Sequence, residues 1–153
     1  MGAPLFKSSQ DESDYHDWLV AQAAHLRAHS FAELDAETIA EELEDMGRSE
    51  RRAVESHLKN LLLHLLKWST QTKRRSRSWR DSIDTARDAL FDLLDDSPSL
   101  RSQLAEFVER QYPRARRSAA NQTGLVETKF PLRCPFLVHQ ILDPEFLPET
   151  QAE

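Results

Sequence analysis

Apolar residues recur at three- and four-residue steps along most of this chain, the spacing that puts them on one face of an α-helix. A first helix is predicted from Asp14 to His29, with Tyr15, Trp18, Leu19, Ala23 and Leu26 as its apolar face and Ser13 as its N-cap. A second begins near Asp35, behind Phe31 and Leu34 as a hydrophobic staple, with Ala36, Ile39, Leu43 and Met46 facing the core. Gly47 interrupts this run. It could end the helix, but no proline follows, and Val54 and Leu61 stay within about 60° of Ile39 on a helical wheel. One long helix from Asp35 to Ser69, kinked or straight, is the preferred reading.

The centre of the fold lies in His57–Arg80, which begins as the most apolar segment and ends as the most basic. With Leu61 as origin, Leu65, Trp68, Leu58 and Val54 fall within about 60° of it. Leu62, Leu66 and Leu63 carry the apolar surface round to the far side. The remaining arc holds Asn60, His64, Lys67 and Gln71. Such a helix is covered on nearly all sides, either by its own chain or by a partner that shields Leu63 and Leu66.

Further helices follow from Ser78 to Asp95, on Trp79, Ile83, Ala86, Leu90, Leu93 and Leu94, and from Ser97-Pro98, a cap hydroxyl followed by proline at the first helical position. The latter carries Leu100, Leu104, Phe107 and Val108, is kinked or divided at Pro113, and stops at Gly124. Beyond it, Leu125, Phe130, Pro131, Cys134 and Pro135 form an irregular apolar strap. A short last helix over 135–142 follows, and Phe130, Phe136, Ile141 and Phe146 cap the core. The prediction is all-α: a single-domain bundle of five or six helices spanning 14–148, with a flexible N-terminus over 1–13 and a tail over 149–153.

The 153 residues suit one domain with an independent core. Three glycines leave little room for Gly-rich phosphate loops. One cysteine, Cys134, permits no internal disulfide. No apolar run of signal-peptide or bilayer-spanning length occurs, so a cytoplasmic protein without membrane contact is expected.

The net charge of −6 conceals alternation. Residues 11–46 carry eleven acids and one base, and residues 48–80 carry ten bases and two acids. Residues 81–109 are again acidic and 110–133 basic. Neighbouring antiparallel helices of opposite sign would attract, each surface pair contributing about 0–1 kcal/mol.

No motif fixes a reaction. The stripe Asn60, His64, Lys67, Gln71 reads first as a solvated seam. As a site, it would be a polar pocket of His64 and Lys67, completed by Glu42, binding a small ligand or moving protons. His25 and His29 have metal-pair spacing but lack the glutamate of a metalloprotease motif; two exposed histidines are the plainer reading. Glu41, Glu42, Glu44 and Asp45 read as a solvated face before a cation site. The run Lys73-Arg74-Arg75-Ser76-Arg77-Ser78-Trp79-Arg80 offers Arg74, Arg75, Arg77 and Arg80 to phosphates and Trp79 to a base. Its plainer reading is a charged turn paired with the acidic helices. Cys134 would cap the last helix as a thiolate, or lie inert. No catalytic residue, metal or cofactor is assigned. A non-enzymatic interaction or regulatory protein is the leading expectation, with self-association as one form of it.

The segment Leu34-Asp35, then Ile39 to Arg52 (IAEELEDMGRSERR), resembles a bacterial family catalogued as domain of unknown function number 29. The likeness continues through Leu63-His64-Leu65-Leu66-Lys67-Trp68 and Arg75-Ser76-Arg77-Ser78-Trp79-Arg80. It ends with Cys134-Pro135-Phe136, Gln140-Ile141-Leu142-Asp143 and Phe146-Leu147-Pro148. The resemblance spans about Tyr15 to Pro148. It implies an all-helical fold, and it carries over no activity and no catalytic residue.

Overall fold

The computed structural model describes residues 14–150. The expected N-terminal segment 1–13, Ser13 included, lies outside them, as do the last three residues of the tail. Among the described residues there are five α-helices, four short 3-10 helices and no strand. The chain divides into two compact units, one ending at Met46 and the other starting at Gly47.

The first unit is a helical hairpin. Helix α1 spans Tyr15–Arg27, and its N-cap is Asp14, whose carboxylate accepts from the Asp17 amide at 3.0 Å. A 3-10 turn, Phe31–Glu33, leads to α2, which begins at Ala36. The two helices run antiparallel: the Tyr15 hydroxyl donates to Glu42, and the Asp35 amide donates to the Gln22 side chain at 2.9 Å. Asp35 in turn caps α2, accepting from the Thr38 amide at 3.2 Å. The expected core face is only partly realised. Ile39 and Leu34 are half-buried, but Leu43 and Met46 are exposed, Phe31 is exposed rather than acting as a staple, and α1 buries no residue at all. Two helices present one interface to each other, too little to cover every apolar position that the periodicity marks.

Helix α2 is continuous from Ala36 to Thr70. Gly47 sits inside it as an ordinary helical residue, with open space where a side chain would stand. Packing along the rest of the helix offsets its low helix propensity of about 1 kcal/mol.

The second unit is built round the leucine-rich part of α2. Leu61, Leu62, Leu65 and Leu66 are fully buried and Leu63 nearly so, covered by helices of the same chain. No second copy is needed to shield Leu63 and Leu66. Helix α3, Arg77–Asp96, starts at Ser76, whose hydroxyl accepts from the Trp79 amide. It supplies Ile83, Ala86, Leu90 and Leu94 to the core. The Ser97-Pro98 signal opens a 3-10 helix, Pro98–Gln103, and α4 starts only at Leu104. The Ser97 hydroxyl is diverted to Glu50 and makes no cap bond. Helix α4 runs unbroken through Pro113 to Thr123, and Gly124 ends it in the left-handed conformation, at φ +72°.

The irregular strap crosses the core as expected, with Phe130, Phe136 and Ile141 buried and Phe146 half-buried. Helix α5 is shorter than predicted, Val138–Leu142, and starts where the Gln140 side chain accepts from the Leu137 amide at 2.9 Å. The charge alternation does not dictate this packing. The inter-helix pair Glu55–Arg110, at 2.7 Å, joins α2 to α4, two segments that are both net basic.

Candidate functional site

The polar stripe of α2 faces a groove of about 350 Å³ in the second unit, lined by His57, Asn60 and His64 from α2 and by Asp81, Ser82, Thr85, Ala86 and Ala89 from α3. Small residues on α3 make the space. Burial holds the His64 imidazole below its ordinary pKa, and the Lys67 charge one turn away pushes in the same direction, so the ring is neutral at pH 7. Lys67 does not line this groove. Its ammonium donates to the Gln122 side chain at 3.2 Å and lies 4.9 Å from the centre of the Trp79 ring. Glu42 belongs to the first unit, where its carboxylate is bonded to Tyr15. That bond, followed by burial and the nearby Asp45, raises the Tyr15 pKa. The carboxylate that lines the groove with His64 is Asp81, which periodicity and spacing did not single out.

Two of the four arginines in the basic turn are committed to the protein's own backbone. Arg75 donates to the Trp68 carbonyl at 2.9 Å and lies over the Trp68 ring. Arg80 shares its Nε–H between the two carboxylate oxygens of Asp84 on the next turn of α3, and its Nη2 reaches the Pro144 carbonyl. Arg74 and Arg77 are exposed, as is Lys73. Trp79 is half-buried against Lys67.

A second set of arginines, not singled out by the sequence reading, pins the C-terminal third. Arg87 is fully buried and donates to the carbonyls of Ile141, Pro144 and Phe146 at 2.9, 3.3 and 3.1 Å. Burial lowers its pKa, and Asp84 and Asp143 work against that. Arg116 holds the Phe130 carbonyl and both the carboxylate and the carbonyl of Glu127. The Tyr112 hydroxyl donates to the Pro131 carbonyl at 2.6 Å. These donors replace the backbone pairing that an irregular segment cannot supply for itself.

A groove of about 670 Å³ lies between α4 and the strap, lined by Val108, Tyr112, Leu132, Cys134, Phe136 and Leu137 among others. Cys134 does not cap α5. Its thiol donates to the Phe136 carbonyl, and burial raises its pKa, the reverse of what a nucleophile requires. The His25 and His29 pair is parted because α1 ends at Arg27: His29 sits in the left-handed region, at φ +56°, its ring edge-on to Phe31. No group of three or more potential metal ligands occurs among the described residues.

Most of the exposed large apolar side chains among the described residues are in the first unit, although Val126, Leu132 and Leu137 of the second unit are exposed too. Leu19, Val20 and Leu26 of α1 are 40, 56 and 45% exposed, Phe31 is 63%, and Leu43 and Met46 of α2 are 62 and 65%. Leu19 and Leu26 share one line of α1, and Leu43 and Met46 share one of α2. The described part of this unit holds nine carboxylates against one arginine, Arg27. Sequence periodicity marked Leu19, Leu26, Leu43 and Met46 but assigned them to the core, and it did not mark Val20. The missing signal was the count of covering layers.

These features define a class: an all-helical module with a packed leucine core and an acidic, partly apolar helical hairpin. The family model described as "Domain of unknown function DUF29" matches residues 11–147, and the chain belongs to that family. No curated protein and no solved structure gives a match. No helix among the described residues is long and apolar enough to cross a membrane.

Proposed function

We propose that this chain is a non-enzymatic protein-binding module of the bacterial cytoplasm whose binding surface is the α1–α2 hairpin. The observation that carries this reading is the exposure of Leu19, Leu26, Phe31, Leu43 and Met46 on a single two-helix unit. Clustered apolar exposure of this kind marks interaction sites, whereas singly scattered leucines need no explanation. The second unit supports the reading by having a complete core of its own, which leaves it free to act as a scaffold. A single half-buried cysteine is compatible with a reducing compartment.

Site-specific photo-crosslinking in the native bacterial host tests this. A photoreactive residue at Leu43 or Met46 should give discrete adducts, and one at exposed Ser102 should not. An absence of adducts from both hairpin positions refutes the reading. An adduct at twice the chain mass would make the partner a second copy.

The second reading is a small polar ligand in the His57–His64–Asp81 groove, favoured by the neutral, desolvated His64 imidazole beside the Ser82 and Thr85 side chains. It predicts a ligand-dependent change in the His64 ring resonances, absent in Thr85→Leu. Nucleic-acid binding through the basic turn would have to rely on Lys73, Arg74 and Arg77, since Arg75 and Arg80 already hold backbone carbonyls.

A further inference from the structure

We infer that α1 is a marginally held arm, which undocks and unfolds by itself while α2 stays helical, and that the apolar face of the hairpin exists only while this arm is docked; this rests on the binding-module reading and adds to it how the face is controlled. The face belongs to both helices. Tyr15 is bonded to Glu42, and Gln22 to the Asp35 amide, a register that sets Trp18 opposite Ile39; both of these are half-buried. On a helical wheel, Leu19 and Leu26 lie about 50–70° to one side of the Tyr15, Trp18, Gln22 line of α1. Leu43 lies about 70° to one side of the Asp35, Ile39, Glu42 line of α2, in the same sense of rotation. Because the helices run antiparallel and face each other, that shared sense brings all three leucines to one side of the hairpin, where all three are exposed.

The burial that holds α1 in place is small. It has 13 residues and buries none of them, and the Tyr15 and Gln22 bonds lie at the exposed surface, where water competes for the same groups. A helix of this length is marginal by itself. The turn after it sets His29 at φ +56°, a region that disfavours residues with a side chain, and undocking relieves that conformation.

The first turns of α2 stand without such support. They extend a helix whose buried leucines run from Leu58 to Leu66, and extending an existing helix avoids the cost of starting one. Asp35 caps them from within the same segment by accepting from the Thr38 amide. Ala36, Glu37, Ala40, Glu41, Glu42 and Leu43 are strong helix formers. A partner that touches Leu19, Leu26 and Leu43 together therefore binds the docked state alone. Its apparent affinity scales with the docked fraction, and its binding in turn holds α1 down.

Hydrogen exchange of the full chain tests the arm, and photo-crosslinking in the native host tests its role. In the parent, the amides of residues 19–27 should exchange several-fold faster than those of residues 39–46. Val20 is exposed and lies on the opposite side of α1 from the Tyr15, Trp18, Gln22 line, so its replacement removes no contact with α2. Val20→Pro, which the interior of a helix does not accommodate, should abolish the protection of residues 19–27 and leave residues 39–46 and 61–66 within about twofold of the parent. Val20→Ala, a better helix former at the same site, should slow the exchange of residues 19–27. With a photoreactive residue at Leu43, Val20→Pro should lower the adduct yield several-fold, and Val20→Ala should keep it. Equal exchange of residues 19–27 and 39–46 in the parent, or loss of protection over 39–46 in Val20→Pro, would make the two helices one cooperative unit and overturn the arm. An adduct at Leu43 undiminished by Val20→Pro overturns the control of the face and leaves the binding module standing. No adduct at Leu43 or Met46 in the parent refutes the binding module, and the control of its face with it, whatever the exchange shows.

Discussion

The Arg87 guanidinium, on the middle of α3, donates through Nε to the Ile141 carbonyl at 2.9 Å, and so ties the last turn of α5 to the core. Its other two nitrogens take the Pro144 and Phe146 carbonyls. A planar fork of donors suits this task as an ammonium would not. A helix C-terminus also presents carbonyls without partners, which a cation favours.

Arg87→Met leaves the Ile141 and Phe146 carbonyls to find new donors, while exposed Pro144 keeps Arg80 and water. With each buried unsatisfied group costing about 1–3 kcal/mol, the loss should be on the order of 2 kcal/mol or more. Arg87→Lys should recover only part of it. Urea denaturation measures both losses, and hydrogen exchange should show the effect first at residues 138–147. A Met variant as stable as the parent would remove Arg87 from this role.

Leu65→Ala should destabilise the protein by about 2–5 kcal/mol, the usual range for a fully buried leucine. Leu43→Ala, at an exposed position of the same helix, should change stability by no more than about 0.5 kcal/mol. Comparable losses in the two variants would show that Leu43 is covered in solution.

Gly47→Ala should raise stability by about 1 kcal/mol. The helix passes through this position without a turn, and an added methyl group meets open space. A destabilised Ala variant would mean that the chain bends at Gly47.

The pKa of His64 is lower in the folded protein than in the unfolded chain. As pH falls below about 6.5, the unfolded state takes up a proton that the folded state resists, so stability is lost on that side and is fully present at neutral pH. His64→Gln should therefore flatten the decline in stability between neutral pH and about pH 5.5. His57 and Asp81 line the same groove in both proteins, so the comparison is between the two pH profiles. Identical profiles would place His64 in water.

Helix α1 has 13 residues and buries none of them, and isolated helices shorter than about 12–15 residues are marginal in water. Its amides should exchange far faster than those of Leu61–Leu66, and a bound partner should slow them. Equal protection of the two segments in the free protein would contradict the packing of the first unit.

Helical class, the central leucine segment and the capping of the core by Phe130, Phe136 and Ile141 were legible in the sequence, because a period of three to four residues follows from backbone geometry alone. The continuity of α2 through Gly47 was legible too, since the apolar phase on either side agrees. What periodicity cannot supply is the identity of the covering layer. Leu43 and Leu65 have the same pattern and opposite exposure, because only one of them has neighbouring elements on every side. Polar partners were equally hidden. Arg87 reads as one more charged residue on a helix, and its burial is decided by where the carbonyls of a distant, irregular segment come to rest. Asp81 lines one groove with His64, and Glu42 accepts from Tyr15, for the same reason. Local spacing determines which face a side chain takes, and long-range packing determines what that face meets.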